Sequence, residues 1–497
     1  MRVLKNTFFL YLSLFGGFIL TFIQLKVLSV YLEPSVLGEF FTIVAFSGIT
    51  AGIILLGIPY VLVRYLPKFQ AKKELNKMSS LLLIMVFSYI VLALLVYLLI
   101  YLFGSKLCVS IYKNEVIGRY ISFAFIVFSV VTFFSIIFMA FNGLRKMHLG
   151  TGLNLLYLFL LTFLLFIFRK ELSISLILEV YLISVIPSII IGGFLLHGEF
   201  RGAKLVSFNL LTKEIIPYWK YAMGLGTLSS LFVHIDRLII GYFLSMPMVA
   251  LFTMASKIKG WLGRVLDIPM EALTPEMSHS WEKGSKEILG GDLKLIIKLL
   301  FFLGCMMTTP VLICGKEIIY IVSTPEYLGA WTPLWFLGIS MILSCIYTPI
   351  VSAMRAIGKI SLFLLTHLIW VFTYVGFTLV FIKRFEVAGV GAAYLLATIF
   401  ALIFNLGYIL RYHTALEIDL RFFYKIVSFG LTFGLFAYFI SGYTWGPNWW
   451  RFIMSGLFVS SGYLLFLLRA NLFSEYEKNK IQVLFTGKYG FLKKILI

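Results

Sequence analysis

The side chains with the most chemical potential in this sequence are ionisable residues inside two adjacent apolar stretches, residues 217–243 and 247–276. These residues are His234, Asp236 and Arg237 in the first stretch and Lys257, Lys259, Arg264, Asp267 and Glu271 in the second. An ionisable side chain at the centre of a membrane-spanning helix costs about 2.5–3.5 kcal/mol on insertion scales, so it usually faces a partner or a water-filled cavity. So many of them on neighbouring helices predict a wet, charged interior.

Helical periodicity assigns these charges to faces. At about 100° per residue, Lys257 and Arg264 lie on one face of the second stretch, and Lys259 falls nearly opposite. In the first stretch, His234 and Arg237 share a face. Carboxylates three and seven residues beyond Arg264 leave two interpretations open, because that side chain either lines a cavity or pairs locally.

The other candidates have alternatives of the same kind. Asp236, Arg237 and Lys257 either line a cavity or form an ion cluster that ties the two helices together. Lys26 either faces a cavity or extends to the outer headgroups, and Arg64 either faces a cavity or marks the cytoplasmic boundary. The candidate substrate or cavity residues are Lys26, Arg64, His234, Asp236, Arg237, Lys257 and Arg264. Because this set is more basic than acidic, it favours an anionic cargo such as a phosphate group.

The elements that position these residues are long apolar segments. The chain has 497 residues, of which 61% are hydrophobic and 13% charged. Its repeated apolar runs of about 20 residues are typical of membrane spans, and their continuity favours helices over a barrel. The sequence therefore predicts an all-α polytopic membrane protein with about 14 transmembrane helices. The predicted spans lie near residues 7–30, 36–63, 79–103, 117–141, 149–168, 176–198, 217–243, 247–276, 294–315, 332–354, 361–382, 387–410, 424–441 and 449–469.

The basic residues predict an orientation. An even number of spans places both termini on one side, and that side carries about three times as many Lys and Arg residues as the other. We therefore expect a multi-pass protein of the cytoplasmic (inner) cell membrane with both termini in the cytoplasm. The net charge of +20 reflects this orientation and contact with lipid headgroups. We expect no nucleic-acid partner.

A weak internal repeat divides the spans into two halves. Leu37–Phe40 and Val249–Phe252 each follow an outer turn, and Ala140–Lys146 and Ala353–Lys359 each close a span at almost the same offset. This pattern predicts duplication of a six-span unit around a central cavity. The predicted domains are an N-terminal lobe (1–198), a cytoplasmic linker (199–216), a C-terminal lobe (217–411), two appended helices (412–469) and a basic cytoplasmic tail (470–497).

Two prolines are candidates for conformational hinges. Pro59 and Pro269 occupy related places near the cytoplasmic ends of the second and eighth spans. Proline removes a backbone donor and kinks a helix, so both are expected to bend during transport.

The sequence lacks the usual signatures of enzymes and metal sites. It has no phosphate loop, no HExxH, no CxxC pair and no nucleophile elbow, and its four cysteines are scattered. We therefore expect a transporter and not an enzyme, with no catalytic residues, no cofactor and no metal site. A coupling ion, either Na⁺ or H⁺, stays open.

Several segments resemble the polysaccharide-transport flippases of the multidrug/oligosaccharidyl-lipid/polysaccharide (MOP) superfamily. They are NTFFLYLSLFGGFILTFIQLKVLSVYLEPSVLGEF at the start, IDRLIIGYFL, the following VALFTMA, and AIGK at the end of the tenth span. Where the family often has Val-Gly-x-Tyr, this chain has Val249-Ala-Leu-Phe252. The resemblance implies two six-helix lobes around a cavity, alternating access and a lipid-linked oligosaccharide as cargo. By position, it also implies cavity or lobe-coupling roles for Arg64, Asp236, Arg237 and Lys257.

The resulting functional hypothesis is a flippase. We expect it to move a polyprenyl-(di)phosphate-linked oligosaccharide from the cytoplasmic to the outer leaflet, in contact with membrane lipids and with glycan polymerase or assembly proteins. Three alternatives stay open. They are a flippase for the peptidoglycan lipid precursor, a cation-coupled drug antiporter of the same superfamily, and a membrane-bound glycan polymerase.

Overall fold

The computed structural model shows an all-α protein, with no strand among the residues it describes. These are 2–206, 208–282, 286–356, 360–412, 419–443, 448–470, 472–473 and 477–478. Within these ranges, the side chains that are not described are those of 2–14, 208–210, 267–269, 271–282, 286–289, 355–356, 360–361, 410–412, 440–443, 448 and 468. The helices are α1 (Arg2–Tyr31), α2 (Pro34–Ile54), α3 (Ile58–Ala71), α4 (Leu75–Leu99), α5 (Ser105–Tyr112), α6 (Glu115–Gly143), α7 (Met147–Ile167), α8 (Ile174–Glu199), α9 (Phe208–Phe243), α10 (Met246–Glu282), α11 (Lys286–Ile313), α12 (Gly315–Val322), α13 (Trp331–Ala356), α14 (Ile360–Tyr412), α15 (Leu420–Tyr443) and α16 (Asn448–Arg469). A π-helical segment, Ile100–Gly104, joins α4 to α5, and a 3₁₀ helix, Pro325–Ala330, precedes α13.

The helices confirm a polytopic membrane protein. Among the described residues, 11 helical segments are long and apolar enough to cross a bilayer. One of them, Leu362–Ile409, covers two of the predicted spans, and non-helical backbone at Glu386 (φ 49°, ψ −135°) interrupts the helix between them. The charged α10 is not among the 11, because its ionisable residues lower its hydropathy. The exact count of 14 spans stays a prediction.

The chain forms two compact units. The first comprises Met1–Thr253 with Val322–Thr324, and the second comprises Met254–Ile321 with Pro325–Ile497. The predicted start of the C-terminal lobe at residue 217 stays a prediction, and in the structure α9 belongs to the first compact unit. The physical reason is that α9 packs along α2, and these two helices have one of the largest interfaces in the first unit.

The first unit is centred on α6. This helix packs against α2, α3 and α8, and it buries Ile121, Phe125 and Ile136 almost completely. α1 packs on α7, where Gln24 Nε2 donates to Thr162 Oγ1 at 2.9 Å. A buried amide needs such a partner, so this bond fixes how the two helices lie against one another.

The second predicted span, residues 36–63, is divided in the structure. α2 ends at Ile54 and α3 begins at Ile58, and between them Leu56 (φ 49°) and Gly57 (φ 66°) adopt left-handed backbone conformations. A Cβ atom on Gly57 would lie 2.1 Å from the carbonyl oxygen of Ala222 in α9, so only glycine fits there. Pro59 lies in the first turn of α3, where its missing N–H costs nothing. The bend itself comes from residues 56 and 57.

The second unit is built around α11, which packs against α13, α15 and α16. Aromatic rings fill the contacts, and Phe301 meets Phe423 edge-on with ring centroids 4.7 Å apart. Lys298 is buried in α11, and its Nζ lies 2.8 Å from Asp419 Oδ2 and 3.0 Å from Glu477 Oε1. This ion cluster joins α11 to Asp419, just before α15, and to Glu477, beyond the end of α16.

Candidate transport residues

Three of the candidate residues lie together near the end of α9. Asp236 and Arg237 are buried, with 5% and 8% of their surface exposed, although both are charged residue types. Arg237 Nε donates to Thr253 Oγ1 at 3.2 Å, and Arg237 Nη1 donates to the carbonyl oxygen of Val233 at 2.8 Å. Nη1 also lies 3.2 Å from His234 Nδ1. These contacts hold the guanidinium in one orientation, as a buried cation needs.

The carboxylate of Asp236 bonds to the backbone of the next residue. Its Oδ1 accepts a hydrogen bond from the backbone N–H of Arg237 at 2.7 Å. The sequence also allowed a pair between Asp236 and Lys257. Lys257 belongs to the second unit, so that pair stays a prediction.

The interface between α2 and α9 is lined by glycines of α2. A Cβ atom on Gly48 would lie 2.6 Å from His234 Nε2, and a Cβ atom on Gly52 would lie 1.7 Å from Ser230 Oγ. Side chains of α9 therefore occupy spaces that any larger residue of α2 would fill. We call this interface, formed by Gly48 and Gly52 with Ser230 and His234, the α2–α9 seam. The sequence analysis missed it, although Gly48 and Gly52 form a GxxxG pattern that is typical of close helix packing.

Arg64 is exposed on α3, about two helical turns after the bend at Leu56 and Gly57. Its guanidinium carbon lies 4.1 Å from the ring centroid of Tyr218 in α9. A guanidinium beside an aromatic face is favoured by the cation–π interaction, and an exposed guanidinium can donate paired hydrogen bonds to a phosphate. One turn further, Lys68 Nζ pairs with Glu214 Oε1 at 2.7 Å, which ties α3 to the same helix.

Lys26 has a partner within the protein. Its Nζ donates to the carbonyl oxygen of Ser323 at 2.6 Å, and Ser29 Oγ donates to the carbonyl oxygen of Val322 at 3.3 Å. Lys26 therefore holds the Val322–Thr324 segment against α1. Neither of the two interpretations offered by the sequence included this contact.

The basic residues of α10 have two different environments in the structure. Lys257, Gly260 and Arg264 are all exposed, as expected for residues that share one face. Lys259 instead lies against α14, where it donates a hydrogen bond to the Tyr394 hydroxyl and its Nζ is 4.0 Å from the centroid of the same ring. The side chains of Asp267, Pro269 and Glu271 lie outside those that the structure describes, so their predicted roles stay predictions.

Sequence reasoning also missed the aromatic cluster beside Lys259. The rings of Trp370, Tyr374 and Tyr394 lie within 4.8 to 5.6 Å of one another, measured between centroids. Trp370 Nε1 donates to Thr398 Oγ1 at 3.3 Å. The spacing of these residues along α14 does not distinguish them from ordinary aromatic residues that face lipid. In the described part of the chain, no group of His, Cys, Asp and Glu side chains could hold a metal ion.

A family model described as "Polysaccharide biosynthesis protein" matches residues 3–281, which is more than half of the chain. The chain belongs to this family. The match includes α9 and nearly all of α10, so the candidate residues Lys26, Arg64, His234, Asp236, Arg237, Lys257 and Arg264 all fall inside it.

Several proteins of known structure have a similar architecture at low sequence identity. The lipid II flippase MurJ, in an inward closed conformation, superposes with a TM-score of 0.74 and 13% identity, over 96% of this chain and all of that one. An inward-facing multidrug resistance MATE transporter of the MOP superfamily superposes with a TM-score of 0.69 and 15% identity, over 80% of this chain and 95% of that one. A MOP superfamily transporter from Pyrococcus furiosus, described as having a binding pocket of reverse polarity, superposes with a TM-score of 0.61 and 15% identity, over 84% of this chain and 97% of that one. The fold is therefore that of the MOP flippases and transporters.

One relative by sequence is an uncharacterized membrane protein, MJ1068, of Methanocaldococcus jannaschii. It is 24% identical over 316 residues, which cover 59% of this chain and 61% of that protein. The alignment thus spans about three fifths of the relative's length.

Proposed function

We propose that this polysaccharide biosynthesis protein is a flippase. It moves a polyprenyl-(di)phosphate-linked oligosaccharide from the cytoplasmic to the outer leaflet of the cytoplasmic membrane, by alternating access through a basic central cavity. Both termini lie in the cytoplasm, and glycan polymerase or assembly proteins act on the delivered cargo. The family supports a role in glycan assembly, and the fold supports transport.

The observation that carries the proposal is the exposed guanidinium of Arg64 stacked on Tyr218 at 4.1 Å. The contact with the ring restrains the guanidinium, and a planar guanidinium can donate paired hydrogen bonds to the oxygens of a phosphate. Lys257 and Arg264 add further exposed cations on α10. Each of the two compact units therefore carries exposed basic side chains that could bind a phosphate group.

A peptidoglycan-precursor flippase is the second candidate, favoured by the likeness to MurJ over almost the whole chain. Its cargo also carries a diphosphate, so the same basic residues would serve it. A cation antiporter is less well supported. The only acidic residue of α2 is Glu39, and its carboxylate already accepts a hydrogen bond from Asn114 Nδ2 at 2.7 Å.

The test measures flipping of lipid-linked oligosaccharide in proteoliposomes, with Arg64→Gln, Arg64→Lys and the control Lys73→Gln. Lys73 is exposed, lies near the end of α3 and also carries a positive charge. We expect Arg64→Gln to lose at least about tenfold in rate, because charged hydrogen bonds contribute about 1.5–3 kcal/mol each. Arg64→Lys should keep part of the rate, because charge remains while the paired geometry is lost. Equal rates in Arg64→Gln and the control would refute the assignment of Arg64.

The choice between cargoes needs a separate comparison. The same proteoliposomes are loaded either with lipid-linked oligosaccharide or with the peptidoglycan precursor. Faster flipping of the oligosaccharide supports the proposal, whereas movement of the peptidoglycan precursor alone would replace it with the second candidate.

A further inference from the structure

We propose that Trp219 is a positioning residue for Arg64, and that it acts through the break between α2 and α3. Its indole fixes the peptide group that sets the direction in which α3 leaves α2, and α3 carries Arg64. The part of this inference that concerns cargo rests on the proposed function. The geometry of the break is a property of the protein alone and can be measured without cargo.

The first observation is a change of hydrogen-bond partners at the break. In a continuous α-helix, the carbonyl oxygen of Leu56 would accept from the backbone N–H of Tyr60. In the structure that N–H donates to the carbonyl oxygen of Gly57 at 3.0 Å, and Trp219 Nε1 donates to the carbonyl oxygen of Leu56 at 2.8 Å. A side chain of α9 thus supplies the donor that the interrupted helix lacks.

The second observation is that this carbonyl belongs to the peptide group that makes the bend. It joins Leu56 (φ 49°) to Gly57 (φ 66°), and both residues have left-handed backbone. This conformation is unfavourable for leucine, so it persists only where the surrounding contacts hold it. The hydrogen bond from the indole fixes the orientation of the peptide plane, and the close approach of Gly57 to Ala222 fixes its position.

The third observation is the distance from the break to Arg64. Arg64 lies eight residues after Leu56, which corresponds to about 12 Å along α3. A change of about 10° in the direction of α3 at the break moves the Cα atom of Arg64 by about 2 Å. Hydrogen bonds to a phosphate tolerate far less, since their donor–acceptor distances lie between about 2.7 and 3.2 Å. The direction of α3 therefore decides whether Arg64 can bind a phosphate.

The helix α3 is attached to α9 on both sides of Arg64. On the far side, Lys68 Nζ pairs with Glu214 Oε1 at 2.7 Å, and the two side chains are 43% and 30% exposed. An exposed ion pair of this kind contributes little. On the near side, the half-buried Trp219 holds the break, and its chain neighbour Tyr218 contacts the guanidinium of Arg64. One short stretch of α9 therefore both contacts Arg64 and fixes the helix that carries it.

The first test measures the geometry of the break without cargo. Spin labels are attached at Glu33→Cys, beside the start of α2, and Gln70→Cys, in the last turn of α3, in protein reconstituted into lipid nanodiscs. Both positions are exposed, and the four native cysteines are buried. In the parent we expect one narrow distance. Replacement of Trp219 by 3-benzothienylalanine, in which sulfur takes the place of the indole N–H, should broaden the distribution at least about twofold, and so should Trp219→Phe.

The second test asks whether Trp219 acts through Arg64. In proteoliposomes, both replacements of Trp219 should raise KM for lipid-linked oligosaccharide at least about fivefold, the change expected for the loss of one hydrogen bond, and change kcat less than about twofold. In the Arg64→Gln background, the same replacements should change KM less than about twofold, since no guanidinium is left to position. Trp449→Phe, at an exposed position of α16, is the matched control and should behave like the parent.

The outcomes separate this inference from the proposed function. An unchanged distance distribution, an unchanged KM, or an equal rise of KM with and without Arg64 overturns the positioning role and leaves the flippase intact. A benzothienylalanine protein that does not fold overturns it as well, because Trp219 would then serve folding and not positioning. If no form of the protein flips any lipid-linked glycan, the proposed function fails, and the spin-label distances still decide whether Trp219 fixes the direction of α3.

Discussion

The ion cluster of the second unit allows a quantitative test. Lys298 has 4% of its side chain exposed, and its Nζ lies 3.0 and 3.1 Å from the two carboxylate oxygens of Glu477, which is 5% exposed. Asp419, the other partner at 2.8 Å, is 32% exposed. Lys298→Met leaves the Glu477 carboxylate buried without its cation. Breaking a buried pair in this way costs about 3–5 kcal/mol.

The companion variants separate pairing from packing. Glu477→Gln should cost less, about 1.5–3 kcal/mol, because Asp419 still compensates Lys298. The double variant should recover much of the loss of Lys298→Met, since it leaves no buried charge unpaired. We therefore expect a coupling free energy of at least about 1.5 kcal/mol from the double-mutant cycle. Lys425→Met, at an exposed position of α15, is the matched control and should change stability by less than about 0.5 kcal/mol.

The assay is equilibrium unfolding in detergent, followed by tryptophan fluorescence for the parent, the two single variants, the double variant and the control. A coupling free energy near zero would mean that Lys298 and Glu477 do not depend on each other. That result would refute the conclusion that the chain after α16 is held to α11 by charge.

Two further predictions follow from the same structure. Gly52→Ala should lower the unfolding temperature and cost about 1–3 kcal/mol, because its Cβ would lie 1.7 Å from Ser230 Oγ, whereas Gly152→Ala, which meets nothing within 4 Å, should be neutral or stabilising. The pKa of Asp419 is lowered, because burial, which raises it, is outweighed by hydrogen bonds from Lys298 and from a backbone N–H. Since the folded pKa lies below the unfolded one, this contribution is present above about pH 4 and is lost as the pH falls through the folded pKa. A pH series of unfolding temperatures for the parent and Asp419→Asn should converge at the acidic end, and curves that stay parallel would contradict the assignment.

Much of the fold could be predicted from hydropathy alone. Every predicted span overlaps a helix of the structure, because a segment of about 20 apolar residues has few stable alternatives in a bilayer. The interruption of the helix at Glu386 falls between two predicted spans, one ending at residue 382 and the next beginning at residue 387. The division after Ile54 was missed, because Leu56 is an unusual residue for left-handed backbone and no sequence rule favours it there.

The candidate site could be predicted only in part. The ionisable residues of α9 and α10 could be recognised because they interrupt otherwise apolar segments. Helical periodicity also placed Lys257 and Lys259 on different faces, and in the structure Lys257 is exposed whereas Lys259 contacts Tyr394. Their partners were not visible. Tyr394 lies 135 residues from Lys259, and periodicity within one helix carries no information about which distant element packs against it.

The sequence by itself determined that this is a helical membrane protein with ionisable residues inside its spans, because transfer free energies are local properties of each segment. Only the tertiary structure decided what each charge meets. Lys26 contacts the carbonyl oxygen of Ser323, 297 residues away, and His234 fits against Gly48 because two helices that are distant in the sequence pack closely. Contacts of this kind depend on how whole helices pack, and that arrangement is set by the sum of many weak contacts and not by any one residue.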